Sequence, residues 1–139
     1  MTDPIVPLLA FCLWTLALAA VTVVGRSLLV LSGRARADDF PAYQYDPARF
    51  LDRTSRAYLN ALETLPVFAS LILAAYYTGQ TDAAIGPALW ILLARVAQST
   101  VHLIGVNHWL VLIRFTFFAI QLILMAVLAW TLLTGWMPL

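Results

Sequence analysis

Long apolar runs, broken at wide intervals by single polar residues, dominate the chain. The first extends from about Pro4 to Leu31, with no charge between Asp3 and Arg26. The second spans Ala57 to Thr78 and is interrupted by Asn60, Glu63 and Pro66. The third spans Ala83 to Ile104 and contains Arg95; the fourth spans Leu110 to Leu133 and contains Arg114 and Gln121. Each can cross a hydrocarbon core of ~30 Å, which takes about 20 helical residues. Lipid offers no partner to a free backbone group, so spanning segments are helices or closed barrels. Strand-like alternation is absent. The pattern predicts an all-α integral membrane four-helix bundle, a single domain over 1–139, with helices over about 4–32, 56–78, 83–104 and 110–134.

The connections are unequal. A polar linker over about 33–55 carries Pro41 and Pro47, and ten of the fifteen charges lie between Arg34 and Glu63. The other two connections are short and make neighbouring helices antiparallel. The first run lacks the basic start of a signal peptide. Leu9-Ala10-Phe11-Cys12 faintly resembles a lipoprotein cleavage box, but Phe11 is too large to precede the cleaved bond, so a retained helix is expected. Arg26, Arg34, Arg36, Arg49, Arg53 and Arg56 cluster at and around the linker, while the termini and the second connection hold no Arg or Lys. The positive-inside rule then places the linker in the cytoplasm and both termini outside. Trp109 and Trp136 are the expected interface anchors.

Composition narrows the class further. The chain is 63% hydrophobic and 11% charged, where a soluble domain carries roughly 25% charged residues. An ordinary soluble globule is excluded. Eight Arg, no Lys and seven acids give a net charge of +1 and no basic face for nucleic acid. The lone Cys12 forms no internal disulfide. No glycine-rich phosphate loop is present, and His102 and His108 alone do not make a metal site.

Ionisable residues inside a span cost roughly 2.5–3.5 kcal/mol at the helix centre, so each demands a reason. Arg53, Arg56, Asn60 and Glu63 are spaced three, four and three apart and share one face of the second helix. Arg95, Gln98 and His102 form a stripe on the third helix, and Arg114 and Gln121 one on the fourth. These faces are expected to meet in one polar cavity open to the linker side. Its charge, Arg56, Arg95 and Arg114 against Glu63, suits an anionic ligand that also carries an ammonium group. Plainer roles compete: snorkelling for Arg53 and Arg56, an interhelix ion pair for Glu63 and Arg95, and helix–helix hydrogen bonding for Asn60 and Gln121. His102 also fits a packing role. Pro66 is expected to bend the second helix beside Glu63.

The stretch Arg53-Thr-Ser-Arg56-Ala-Tyr-Leu-Asn60-Ala-Leu-Glu63-Thr-Leu-Pro66-Val-Phe68 resembles the signature of the MAPEG family, membrane-associated proteins of eicosanoid and glutathione metabolism. Ala94-Arg95-Val96-Ala97 and the arginine entering the fourth helix resemble it too. The resemblance implies a homotrimer with glutathione bound as co-substrate between subunits near the cytoplasmic face, and a lipophilic electrophile or hydroperoxide as second substrate. It implies glutathione contacts at Arg56, Asn60 and Glu63, at Arg95, and at Arg34 near the end of the first helix. Arg114 would stabilise the thiolate.

The departures are informative. Gln98 and His102 stand where family members often carry Tyr, and Thr64 stands where eicosanoid-producing members carry Tyr. These changes argue against leukotriene or prostaglandin synthesis. The chain looks more like short prokaryotic members, which points to a bacterial inner membrane. The expected function is a glutathione-dependent transferase or peroxidase, with Arg114 catalytic and Arg34, Arg56, Asn60, Glu63, Arg95, Gln98, His102 and Gln121 binding substrate. The alternative is a non-catalytic binding or structural protein that offers the same cavity to another anion or to membrane lipid.

Overall fold

The computed structural model describes residues 3–40 and 45–136; Pro41 lies outside the described residues. Four helices follow in order: α1 (Ile5–Leu31), α2 (Phe50–Tyr77), α3 (Thr81–Ile104) and α4 (His108–Trp136). One 3-10 turn, Ala37–Asp39, interrupts the linker. No strand occurs among the described residues. The shortest helix has 24 residues and the longest 29, so each is roughly 36–44 Å long and outreaches a hydrocarbon core.

The helix ends follow from local chemistry. Gly33 and Gly79 both adopt φ +69°, a conformation that glycine enters without a Cβ penalty. Beyond α1, the Gly33 N–H donates to the Val30 carbonyl and the Arg34 N–H to that of Leu29. Beyond α2, the Gly79 N–H donates to Tyr76 and the Gln80 N–H to Ala75. Both are Schellman closures, which satisfy carbonyls a helix end would leave open. Asn107 caps α4, its side-chain oxygen accepting from the Leu110 N–H at 2.8 Å. Asp3 accepts from the Ile5 N–H and from the Tyr76 hydroxyl, which fastens the start of α1 to the end of α2. The Tyr76 hydroxyl, and then the Ile5 N–H, hold the Asp3 carboxyl below its ordinary pKa.

One boundary differs from expectation. The second helix begins at Phe50, six residues before the expected 56, and the linker is shorter accordingly. Its first two turns hold Asp52 and Arg53, which fall within the expected linker when apolar content alone is weighed. Asp52 in the first turn favours a helix start there, because the amino end of a helix attracts negative charge. Pro66 lies inside α2 without ending it.

α3 packs chiefly on α4 and α1 on α2, with α2 and α3 meeting at the centre. The apolar core fills the half of the bundle nearer the termini, around Phe11, Phe68, Ile72, Ile91 and Leu128. The Phe11 and Phe68 rings lie 5.5 Å apart. Ala61, Ala75, Ala84 and Ala88 line the same core, and small side chains let helix backbones approach closely in a membrane. The outer faces are apolar, with Leu13, Val23, Phe115, Ile123 and Trp130 exposed. Trp109 and Trp136 stand exposed near opposite ends of α4, where indole rings suit the headgroup layer.

Candidate functional site

Polar residues fill the half of the bundle nearer the linker, and they divide into two sets. The inward set belongs to α3 and α4. Arg95, Gln98, Ser99 and His102 recur every three or four residues, so they line one face of α3, and all four are buried. Arg95 is 0% exposed. Its guanidinium donates to the Thr64 hydroxyl of α2 and lies 5.4 Å from the centre of the Phe11 ring. Gln121, on α4, donates to the Gln98 side-chain oxygen at 2.9 Å and to the Phe117 carbonyl at 3.1 Å. Two turns nearer the start of α4, Arg114 is half-buried, and its NH1 donates to His102 Nδ1 at 2.7 Å. Five atoms in this set are buried without a hydrogen-bond partner: Arg95 Nε, Ser99 Oγ, His102 Nε2, Arg114 Nε and Gln121 Oε1.

The outward set belongs to α2. Ala57, Ala61, Thr64 and Phe68 form its buried face. Arg56, Asn60 and Glu63 each precede one of those positions by one residue, about 100° round the helix. Arg56 and Glu63 are exposed on the protomer and Asn60 is half-buried. Neither Arg56 nor Glu63 has an ion-pair partner among the described residues. The Arg56 guanidinium lies 5.6 Å from the Tyr45 ring centre.

The expected single cavity is therefore corrected. Arg95, Gln98, His102 and Gln121 turn into the protomer with Arg114 partly among them, while Arg56 and Glu63 turn out of it. No ion pair joins Glu63 to Arg95; the hydroxyl of the neighbouring residue, Thr64, meets the guanidinium instead. A fully buried Arg95 presents no donor to a molecule outside the protomer.

Arg53 does not snorkel. Its Nε donates to the Leu103 carbonyl at the end of α3, and its NH1 donates to the Pro47 and Ala48 carbonyls, at 3.2, 2.8 and 3.0 Å. It ties α2, α3 and the linker together. Arg34 is exposed and lines a separate cleft of about 850 Å³ with Asp38, Asp39, Phe40, Arg49 and Asp52. None of the other expected ligand residues lines that cleft. Nearby, Arg26 lies 3.9 Å from Asp52 and 5.3 Å from the Phe40 ring centre.

Sequence reasoning missed three participants. Ser99 was legible as the residue four after Arg95. Thr64 and Phe11, the two groups that receive the Arg95 guanidinium, carry no signal of that role, since it exists only once three helices pack.

Among the described residues no group of three or more His, Cys, Asp or Glu could hold a metal ion. No curated protein matches the chain. The family model described as the MAPEG family matches residues 4–134 of the 139, and with four helices long and apolar enough to span a bilayer the chain is an integral, multi-pass membrane protein that belongs to that family.

Proposed function

We propose that the protein is a membrane-bound glutathione-dependent transferase or peroxidase acting on lipophilic electrophiles, and that it works as a homotrimer with glutathione held between protomers. Family membership supports the class, since MAPEG proteins are in general glutathione-related transferases or peroxidases, or act in eicosanoid metabolism. The observation that carries the reading is the outward stripe on α2. Arg56 and Glu63 are charges on the outside of a spanning helix with no ion-pair partner among the described residues. Facing lipid they would cost free energy, and a polar ligand in a cleft against a second protomer removes that cost.

The residues fit a small peptide thiol. Glu63 offers a carboxylate to an ammonium group, Arg56 a fork to a carboxylate, and Asn60 both a donor and an acceptor. Arg34, at the end of α1, offers a further carboxylate partner. Arg114 brings a permanent positive charge, which favours a thiolate over a thiol. Glutathione supplies the sulfur nucleophile or reductant. Gln98 and Gln121, buried and bonded to each other, hold α3 against α4 behind this surface, and Arg95 holds α3 against α2.

The arginines around the linker support a cytoplasmic linker with both termini outside. An impermeant thiol reagent on intact cells, in a Cys12→Ser background, should label Asp82→Cys and spare Ala48→Cys; the opposite result would reverse the orientation. For the function itself, glutathione should raise the thermal midpoint of the detergent-purified protein, and conjugation of an aryl halide should follow. Protection without conjugation would favour a binding protein, and no protection would remove glutathione as ligand.

A further inference from the structure

We propose that His102 is a positioning residue for Arg114: its Nδ1 accepts a hydrogen bond from the guanidinium and fixes the direction in which the remaining donors of that arginine point. This rests on the reading of Arg114 as the thiolate-stabilising charge, and assigns a task to a buried side chain of α3.

The geometry is specific. The NH1 to Nδ1 distance is 2.7 Å. Arginine is a donor only, so Nδ1 must be the acceptor, and the ring must be neutral with its hydrogen on Nε2. A tyrosine here would present one hydroxyl that rotates between donor and acceptor. The imidazole presents a lone pair fixed in the ring plane, and the ring is held, since His102 is 6% exposed.

The arrangement is not one that stability alone would select. His102 Nε2 is buried and has no hydrogen-bond partner, and an unsatisfied buried donor is costly. The charged groups that act on the ring are Arg114 of α4 and Arg53 and Arg56 of α2, all positive. Nothing acidic competes for the arginine. Arg114 in turn has no carboxylate partner among the described residues. Its Nε is buried and unpartnered among the described residues, and the bond to His102 is its one hydrogen bond to them. A long, flexible side chain with one anchor takes its orientation from that anchor. The anchor also crosses from α3 to α4 beside the short connection 105–107, so the bond that directs the charge joins the same helix pair as the Gln121–Gln98 bond.

The test uses the purified protein in detergent and three substitutions. Leu at position 102 removes the acceptor. Asn places an amide oxygen close to where Nδ1 stands, whereas Gln places its amide nearer the Nε2 position. With glutathione bound, thiolate absorbance in the ultraviolet is followed through a pH titration, and affinity is measured by calorimetry. His102→Leu should raise the bound-thiol pKa by about one unit, a tenfold loss of thiolate at neutral pH, while affinity changes by less than about threefold. His102→Asn should restore most of the shift and His102→Gln should not. His102→Leu placed on Arg114→Ala should add nothing further, because the histidine acts through the arginine.

A second readout needs no ligand. In protein labelled with nitrogen-15 histidine, with His108→Gln to leave one ring, His102 should show a bare Nδ1 and a protonated Nε2. Arg114→Ala should move the Nδ1 resonance, because the bare nitrogen loses its hydrogen-bond donor. A wild type that does not bind glutathione would overturn the glutathione reading and leave the nitrogen spectrum to decide this one. A protonated Nδ1, an unchanged Nδ1 resonance in Arg114→Ala, or an unchanged thiol pKa in His102→Leu would each overturn the proposal.

Discussion

The two polar stripes of this bundle are built from similar residues at similar spacings, yet they solve the same problem differently. On α3, Arg95, Gln98 and His102 face other helices and find partners there: Thr64, Gln121 and Arg114. On α2, Arg56 and Glu63 face away from the protomer and have no ion-pair partner among the described residues. In a membrane, a polar side chain that its own protomer does not satisfy must be satisfied by something else. The inward stripe is therefore read as the part that holds the protomer together. On the proposed function, the outward stripe is the part that meets a ligand and a neighbour.

The largest effect should come from the centre of the inward stripe. Arg95→Ala would empty a fully buried volume, strip the Phe11 ring of its cation and leave the Thr64 hydroxyl without its donor. Thermal unfolding in detergent should show a loss of about 3 kcal/mol. Arg95→Met fills much of the volume without a charge, and should recover most of that loss, because a buried ion is itself expensive. If the methionine variant were as unstable as the alanine one, the guanidinium would be doing more than filling space and donating to Thr64.

Gln121→Leu is a milder probe of the same stripe. It removes the hydrogen bond to Gln98. Such bonds between membrane helices average about 0.6 kcal/mol and reach about 1.7, so a loss of about 1 kcal/mol is expected, with glutathione affinity unchanged within about threefold. A large loss of affinity would show that Gln121 reaches the ligand after all, and the separation of the two stripes would fail.

What the sequence made legible, and what it did not, follows the same division. The four spans were plain from hydropathy, because each apolar run is long and its interruptions are single residues. The stripes were plain too, because spacings of three and four put Arg56, Asn60 and Glu63 on one face and Arg95, Gln98 and His102 on another. The direction of each stripe was not. In water a polar face points outward by default, but in a membrane it turns either into its own protomer or toward another polar surface, so periodicity alone cannot say whether Glu63 looks at Arg95 or away from it. That is decided by Thr64, one residue along, meeting the guanidinium when three helices close around it. The start of α2 was obscured for a related reason. Asp52 and Arg53 look like linker, although Arg53 anchors the end of α3 through the Leu103 carbonyl.

The smallest expected effect lies outside both stripes and serves as a control. The Asp3 carboxylate accepts from the Tyr76 hydroxyl and the Ile5 N–H, and its pKa is lowered in the folded protein. A lowered carboxyl pKa stabilises the fold above the unfolded value of about 3.9, and this is lost as the pH falls through the folded value. Tyr76→Phe should flatten that acid dependence slightly, by lowering the neutral-pH midpoint a little toward the acid one, and leave glutathione affinity as it was. A marked change in affinity would mean that the end of the bundle nearer the termini communicates with the stripes, which the apolar core between them gives no reason to expect.

The central claim is that the outward stripe on α2 binds the ligand, with Arg114 the one member of the inward set that reaches it. Glutathione calorimetry on the detergent-purified protein tests it directly, with wild type set against Glu63→Gln and both checked for thermal midpoint and oligomeric mass. Glu63→Gln should lose the ammonium partner, and the affinity should fall by at least tenfold, about 1.4 kcal/mol, with midpoint and mass unchanged. Wild-type affinity in Glu63→Gln, or an affinity lost only together with the fold, would contradict the account.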